Sequence, residues 1–118
     1  MNSLPKTEIP AEAAMAHALD HLWRRFLPEI RERVSVLEIA AAAVAANNLS
    51  PSDREAAQAA AHKLAGVLGT FNLARGTELA RELELAYSRD SVPPASSGKR
   101  LTSLAAELHR LIDSRQSG

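Results

Sequence analysis

Cysteine is absent from the 118 residues of the chain. This absence excludes disulfides, thiolate metal sites and cysteine nucleophiles, and it leaves the redox compartment open. Net charge is absent as well, because 14 lysine and arginine residues match 14 aspartate and glutamate residues. Without a basic surplus, bulk electrostatics do not hold nucleic acid or an anionic membrane. We therefore expect no nucleic-acid partner.

Long hydrophobic runs are also missing. The longest uncharged stretch, which contains Ile39 to Pro51 and stops before Asp53, ends in polar turn residues and is too short to span a bilayer. Residues 1–10 contain two prolines and no apolar segment of the kind found in secretory signals. The sequence therefore predicts a cytoplasmic protein without a membrane partner, in which residues 1–10 form a flexible tail.

Aromatic residues make up only 3% of the chain, although 46% of its residues are hydrophobic. Alanine and leucine dominate the hydrophobic fraction, which favours helices over strands. A chain of this length forms one domain with a modest core. The composition thus predicts a single all-α domain, which we assign to residues 11–115.

The first predicted helix is long. Apolar residues recur at alternating spacings of three and four residues from Trp23 to Val44, as in the seam of a helical bundle. Pro28 lies inside this pattern and predicts a kink, or a break after a short N-terminal helix that ends near Leu27. Residues 47–49 then form a turn.

Terminating signals divide the rest of the chain into three further helices. Ser50 is a good N-cap and Pro51 suits the first position of a second helix, which we expect to end near residue 70. Asn72 is expected to cap a third helix that runs to about Tyr87. After a proline- and serine-rich connection, a last helix carries a stripe of leucines: Leu101, Leu104, Leu108 and Leu111. Four helices with short connections predict an antiparallel, up-and-down four-helix bundle.

Several conspicuous side chains are assigned to structure. Trp23 and Phe26 are interpreted as core anchors, with an aromatic contact surface for a partner helix as the alternative. His17 and His21 have the i, i+4 spacing of metal ligands, but without a third ligand nearby they are interpreted as incidental. His109 follows a core leucine and is interpreted as a surface residue.

His62 lies inside the second predicted helix and is followed by glycines at +4 and +7. Each glycine costs a helix interior roughly 1 kcal/mol relative to alanine, so these positions need another explanation. With about 100° per residue, the apolar side of the helix lies opposite His62, and the residues around His62 are mostly small. Small residues let another protein approach the helix backbone. The candidate docking residues are Gln58, Ala59 and Ala65, beside Gly66 and Gly69.

A resemblance to a known family rests on two stretches of sequence. They are AHKLAGVLGTFNL at residues 61–73 and LARELE at residues 79–84. Both are similar to the histidine-containing phosphotransfer (Hpt) domain, and the resemblance extends from about Leu22 to Ile112. It implies a four-helix bundle whose central histidine carries a phosphoryl group between receiver domains.

The resemblance also implies a role for His62. Its Nε2 would accept a phosphoryl group from a receiver-domain aspartyl phosphate and pass the group to another receiver. Response-regulator receivers and a hybrid histidine kinase are the implied partners. No cofactor and no metal are implied for this chain, since the receiver supplies Mg²⁺. The chain has no P-loop, which fits a phosphocarrier rather than an ATP-dependent kinase.

The chain departs from the family pattern at some positions near the histidine. Many members have a lysine at +3, where this chain has Ala65, so Lys63 or a basic group of the partner becomes the candidate cation. Glu84 occupies the +22 position, which in some members holds a glutamine bonded to the histidine. Glu84 would fix the tautomer of His62 by accepting from Nδ1–H, or it is a solvated surface acid. Asn72 stands at +10, where glycine is frequent.

Two functions of different class remain open. In the first, the chain is a phosphorelay intermediate that is phosphorylated on His62. In the second, it is a helical docking module that binds a receiver or another signalling partner without phosphoryl chemistry, which the missing lysine at +3 keeps open. Labelling by a phosphorylated receiver discriminates between them.

Overall fold

The computed structural model describes residues 10–117, with side chains through residue 115. Its α-helices are α1 (Ala11–Ala45), α2 (Pro51–Thr70), α3 (Ala74–Tyr87) and α4 (Gly98–Ser117), with a short 3-10 turn at Ala95–Ser97 before α4. Each helix contacts its two neighbours in the order α1, α2, α3, α4 and back to α1, and no diagonal pair meets within residues 10–117. The predicted all-α four-helix bundle is confirmed. The predicted flexible tail lies almost entirely outside the described residues.

The core is mostly aliphatic and follows the helical spacing seen in the sequence. Buried side chains from all four helices fill the centre of the bundle, among them Leu37, Leu64, Leu83 and Leu108, each 0% exposed. Burial of a leucine of this kind contributes about 1.5–3 kcal/mol. Most helical stability in a bundle comes from this packing rather than from the propensity of the individual residues.

The predicted interruption at Pro28 is wrong in one respect. α1 is a single helix of 35 residues that runs through Pro28 without a break, so residues 11–27 do not form a separate helix. A proline inside a helix costs about 3 kcal/mol or more. Trp23 and Ile30, which flank Pro28, are both buried against the core. Their packing fixes both halves of α1 against the same core. It offsets the free-energy cost of the backbone hydrogen bond that Pro28 removes.

The helix ends confirm one predicted cap and correct another. Ser50 Oγ accepts a hydrogen bond from the backbone N–H of Asp53 at 3.1 Å, as expected of an N-cap. Asn72 does not cap α3. It has a φ of 58°, and Leu73 is the residue that precedes the helix. Asn72 instead terminates α2 in the left-handed conformation that asparagine tolerates, and Asn47 does the same after α1 with a φ of 59°.

The two aromatic residues of α1 have different environments. Trp23 is 2% exposed and packs edge-on against Phe71, with ring centroids 5.2 Å apart, while the Arg115 guanidinium lies 5.1 Å from its ring centroid. Trp23 is therefore confirmed as a core anchor. Phe26 is 39% exposed, so its assignment to the core is wrong. One helical turn separates the two residues, and only Trp23 points at the bundle axis.

Candidate functional site

His62 projects from the middle of α2 into solvent, with 72% of its side chain exposed. Its Nδ1 lies 2.7 Å from Oε2 of Glu84, which belongs to α3. Glu84 is less exposed, at 25% of its side chain. The structure therefore brings together two residues that are 22 positions apart in sequence, because α2 and α3 are neighbouring antiparallel helices.

The contact determines which ring nitrogen of His62 is free. An ionised carboxylate only accepts hydrogen bonds, so Nδ1 must carry the proton that it shares with Glu84. In the neutral imidazole, Nε2 then has an available lone pair. Nε2 lies on the side of the ring away from Nδ1 and so points away from α3. The arrangement orients a nucleophilic nitrogen toward solvent.

The surface around His62 is low, as the small residues predict. Ala59, Gly66 and Gly69 are exposed, and Gln58 is partly exposed. A Cβ built on Gly66 has no neighbour within 4 Å, so the fold itself leaves room for a side chain there. Packing inside the chain does not require glycine at residue 66. The space is open toward whatever approaches His62 from outside.

Ala65 does not belong to this surface. It is 4% exposed and lies in the core, so its assignment as a docking residue is wrong. The helical wheel placed it about 60° from His62, and that side of α2 is covered by the bundle. Residue 65 is also uncharged, so the +3 position supplies no cation to this surface.

A shallow groove runs between α1 and α2 on the Lys63 side of His62, which does not itself line it, and we call it the α1–α2 groove. Its lining includes Phe26, Glu29 and Arg33 of α1 and Lys63, Gly66 and Thr70 of α2. Lys63 is exposed there, one residue after the histidine. Arg33 was not among the site residues predicted from the sequence. The turn between α1 and α2 is centred near residue 48, and Arg33 and Lys63 are equally far from that centre, which is the signal that could have paired them.

The family model described as the Hpt domain matches residues 21–116, which is most of the chain. The chain belongs to the Hpt domain family. A curated relative, Protein RcaC of Microchaete diplosiphon, is 33% identical over 82 residues. This match covers 68% of the chain but only 13% of RcaC, so the chain spans a small part of its relative. Comparison with solved structures gives no match.

Membership in the Hpt domain family assigns the chain a phosphotransfer role in two-component signalling. Hpt domains are phosphoryl carriers rather than kinases, and their partners are receiver or kinase components of such systems. Within the Hpt domain described here, none of the helices is both long enough and apolar enough to cross a membrane.

The remaining histidines of this Hpt domain lie away from α2. His109 is partly exposed, with Nδ1 at 3.0 Å from Glu38 and Nε2 at 3.3 Å from Asp113, so it ties α4 to α1. His17 and His21 are exposed on α1. Across residues 10–117, no group of three histidine or acidic side chains is arranged to hold a metal ion.

Proposed function

We propose that the chain is a phosphorelay intermediate that accepts a phosphoryl group on Nε2 of His62 from the aspartyl phosphate of one receiver domain and passes it to another. The observation that supports this proposal is the 2.7 Å contact between Nδ1 of His62 and Glu84. This contact leaves Nε2 as the free nucleophile on an exposed and low surface.

Phosphoryl transfer from the aspartyl phosphate to His62 needs no further reactant. The lone pair of Nε2 forms a bond to phosphorus while the bond between phosphorus and the aspartyl oxygen breaks, and that oxygen keeps the electron pair as a carboxylate. No proton has to leave Nε2, because in this tautomer the proton sits on Nδ1. The ring gains positive charge as it reacts, and the Glu84 carboxylate is in place to stabilise that charge. Transfer to the second receiver is the reverse of these steps.

The proposal also covers the origin of the phosphoryl group. A hybrid histidine kinase and its receiver would supply it, and the chain itself would not use ATP. The receiver would bring the Mg²⁺ that aspartyl phosphate chemistry needs, and we expect no cofactor in this chain. We place the reaction in the cytoplasm.

The decisive experiment is single-turnover labelling. The chain is incubated with a purified receiver carrying ³²P on its aspartate, in the presence of Mg²⁺, and the label is tested for acid lability and alkali stability. Peptide mapping should then locate the label on His62. Receivers that bind the chain without ever labelling it would overturn the proposal and favour a docking module.

Glu84 provides a separate prediction. Glu84→Ala removes the acceptor from Nδ1, so the ring rotates and changes tautomer, and we expect the transfer rate to fall roughly 10- to 100-fold. Glu84→Gln keeps a carbonyl oxygen at the same place and should lose less than about tenfold. Quench-flow measurement of phosphoryl transfer from a saturating receiver checks both values.

Glu55 offers the matched control for Glu84. It is an exposed acid on α2 near the histidine that makes no contact with it. Glu55→Ala should therefore leave the rate within about twofold of wild type. If Glu84→Ala behaves like Glu55→Ala, then Glu84 is only a solvated surface acid.

Substitutions of Gly66 test whether phosphoryl transfer needs the low surface around His62. Gly66→Leu should keep the bundle folded but slow transfer by roughly 10- to 100-fold, because a branched side chain beside His62 holds the aspartyl phosphate away from Nε2. Gly66→Ala fits the open space and should be more stable by up to about 1 kcal/mol with nearly unchanged transfer. Thermal unfolding and transfer rates measured on the same samples separate the two effects. Equal rates in Gly66→Leu and wild type would contradict a docking role for this surface.

A further inference from the structure

The phosphoacceptor lies between groups of opposite charge. On the α3 side, the Glu84 carboxylate contacts Nδ1 of His62. On the α1 side, Arg33 and Lys63 line the same α1–α2 groove. His62 is not part of the groove lining, but Lys63 and Gly66 lie about 100° and 40° around α2 from it, so the groove flanks His62 on the side opposite α3, toward which Nε2 points.

The ion pair of Arg33 is longer than those of Arg75, Arg100 and Arg115. Its Nη2 is 3.6 Å from Oε1 of Glu29, and Glu29 is itself 59% exposed. By contrast, Arg75, Arg100 and Arg115 each reach a carboxylate at 2.8 to 2.9 Å. An ion pair of this length to an exposed carboxylate contributes little, so Arg33 exchanges Glu29 for a more highly charged anion at small cost.

The chemistry of the side chain fits a phosphoryl group. The guanidinium group presents a planar fork of donors that matches two phosphoryl oxygens, whereas an ammonium group acts as a point charge. Only 22% of the Arg33 side chain is exposed, so binding a phosphoryl group costs it less side-chain entropy than it would cost a fully exposed arginine. The groove also contains the carboxylate of Glu29, which leaves it with an excess of one positive charge.

We propose that Arg33 is a catalytic residue that binds the phosphoryl oxygens during transfer and supplies, from α1, the cation that the buried Ala65 does not offer at +3. Lys63 assists from the adjacent position on α2. This inference rests on the proposed function. It assigns the charge compensation to this chain rather than to the receiver.

The test compares Arg33→Ala and Arg33→Lys with wild type in single-turnover transfer from a ³²P-labelled receiver, while the receiver's Kd is measured by titration. Arg33→Ala should lower the rate at saturating receiver by roughly 10- to 100-fold, as expected when a donor to the transferring group is lost. The Kd should change by less than about threefold, because the contact forms mainly in the transition state. Arg33→Lys should recover part of the rate, since it restores charge without the bidentate geometry.

Arg25 provides the matched control. It is an exposed arginine on the same helix, outside the α1–α2 groove, and Arg25→Ala should transfer at the wild-type rate. Glu29→Gln should transfer at least as fast as wild type, because it releases Arg33. An Arg33→Ala rate within twofold of wild type, an equal loss in Arg25→Ala, or a loss that appears only in Kd would each overturn the assignment. A wild-type chain that takes no label would instead defeat the proposed function itself.

Discussion

His62→Gln is expected to reduce labelling by a phosphorylated receiver to background, a loss of at least about 10³-fold. The amide nitrogen of glutamine has no available lone pair and therefore does not attack phosphorus. Because the His62 side chain is 72% exposed, the substitution should change the free energy of unfolding by no more than about 0.5 kcal/mol. Circular dichroism on the same preparation establishes that the variant is folded.

His109→Gln is the control for His62→Gln. His109 is a partly exposed imidazole that also contacts carboxylates, yet it lies on α4 and does not line the α1–α2 groove. We expect this variant to be labelled at the wild-type rate. Label that survives in His62→Gln but is lost in His109→Gln would place the phosphoacceptor on α4 instead of α2 and would refute the proposed function.

Trp23→Ala should cause the largest loss of stability, about 3–5 kcal/mol. The substitution removes a 2%-exposed ring from the contact with Phe71 and Arg115 and leaves a cavity between α1 and the α2–α3 connection. Trp23 is the only tryptophan in the chain, so unfolding in urea should be followed by far-ultraviolet circular dichroism rather than by tryptophan fluorescence.

Phe26→Ala is the matched control for Trp23→Ala. Phe26 is an aromatic residue on the same helix, three positions on, but it is 39% exposed. Its truncation should cost about 1 kcal/mol or less. Similar losses in both variants would mean that the first half of α1 is held by its apolar face as a whole rather than by Trp23.

The four-helix bundle was predictable because its signals are local and consistent. The apolar spacing from Trp23 to Val44, the Ser50–Pro51 start of α2 and the leucine stripe of α4 all agree with the structure. Pro28 was misjudged because packing on both sides of it outweighs its cost, and packing is not visible in a local pattern. Asn72 was misjudged because asparagine suits both an N-cap and a left-handed helix end.

The candidate site was predictable only where it lies on one helix. The exposure of His62 follows from the wheel of α2, but the wheel does not show how much of each flank neighbouring helices cover, and Ala65 was misplaced for that reason. Arg33 comes from another helix and enters the site through the antiparallel register of α1 and α2. The proximity of Arg33 and Lys63 follows only when positions of α1 and α2 that are equally far from the turn between these helices are paired.

The alanines on the buried face of α2 also affect how closely α2 packs against α3, from which Glu84 contacts His62. The buried face of α2 consists of Ala57, Ala60, Ala61, Leu64, Ala65 and Leu68, so four of its six members carry only a methyl group. Helices that meet through small side chains lie closer together. Close packing of α2 against α3 shortens the gap that the Glu84 side chain has to span to contact His62. Because its side chain is only a methyl group, Ala65 contributes to this close approach from the buried face of α2.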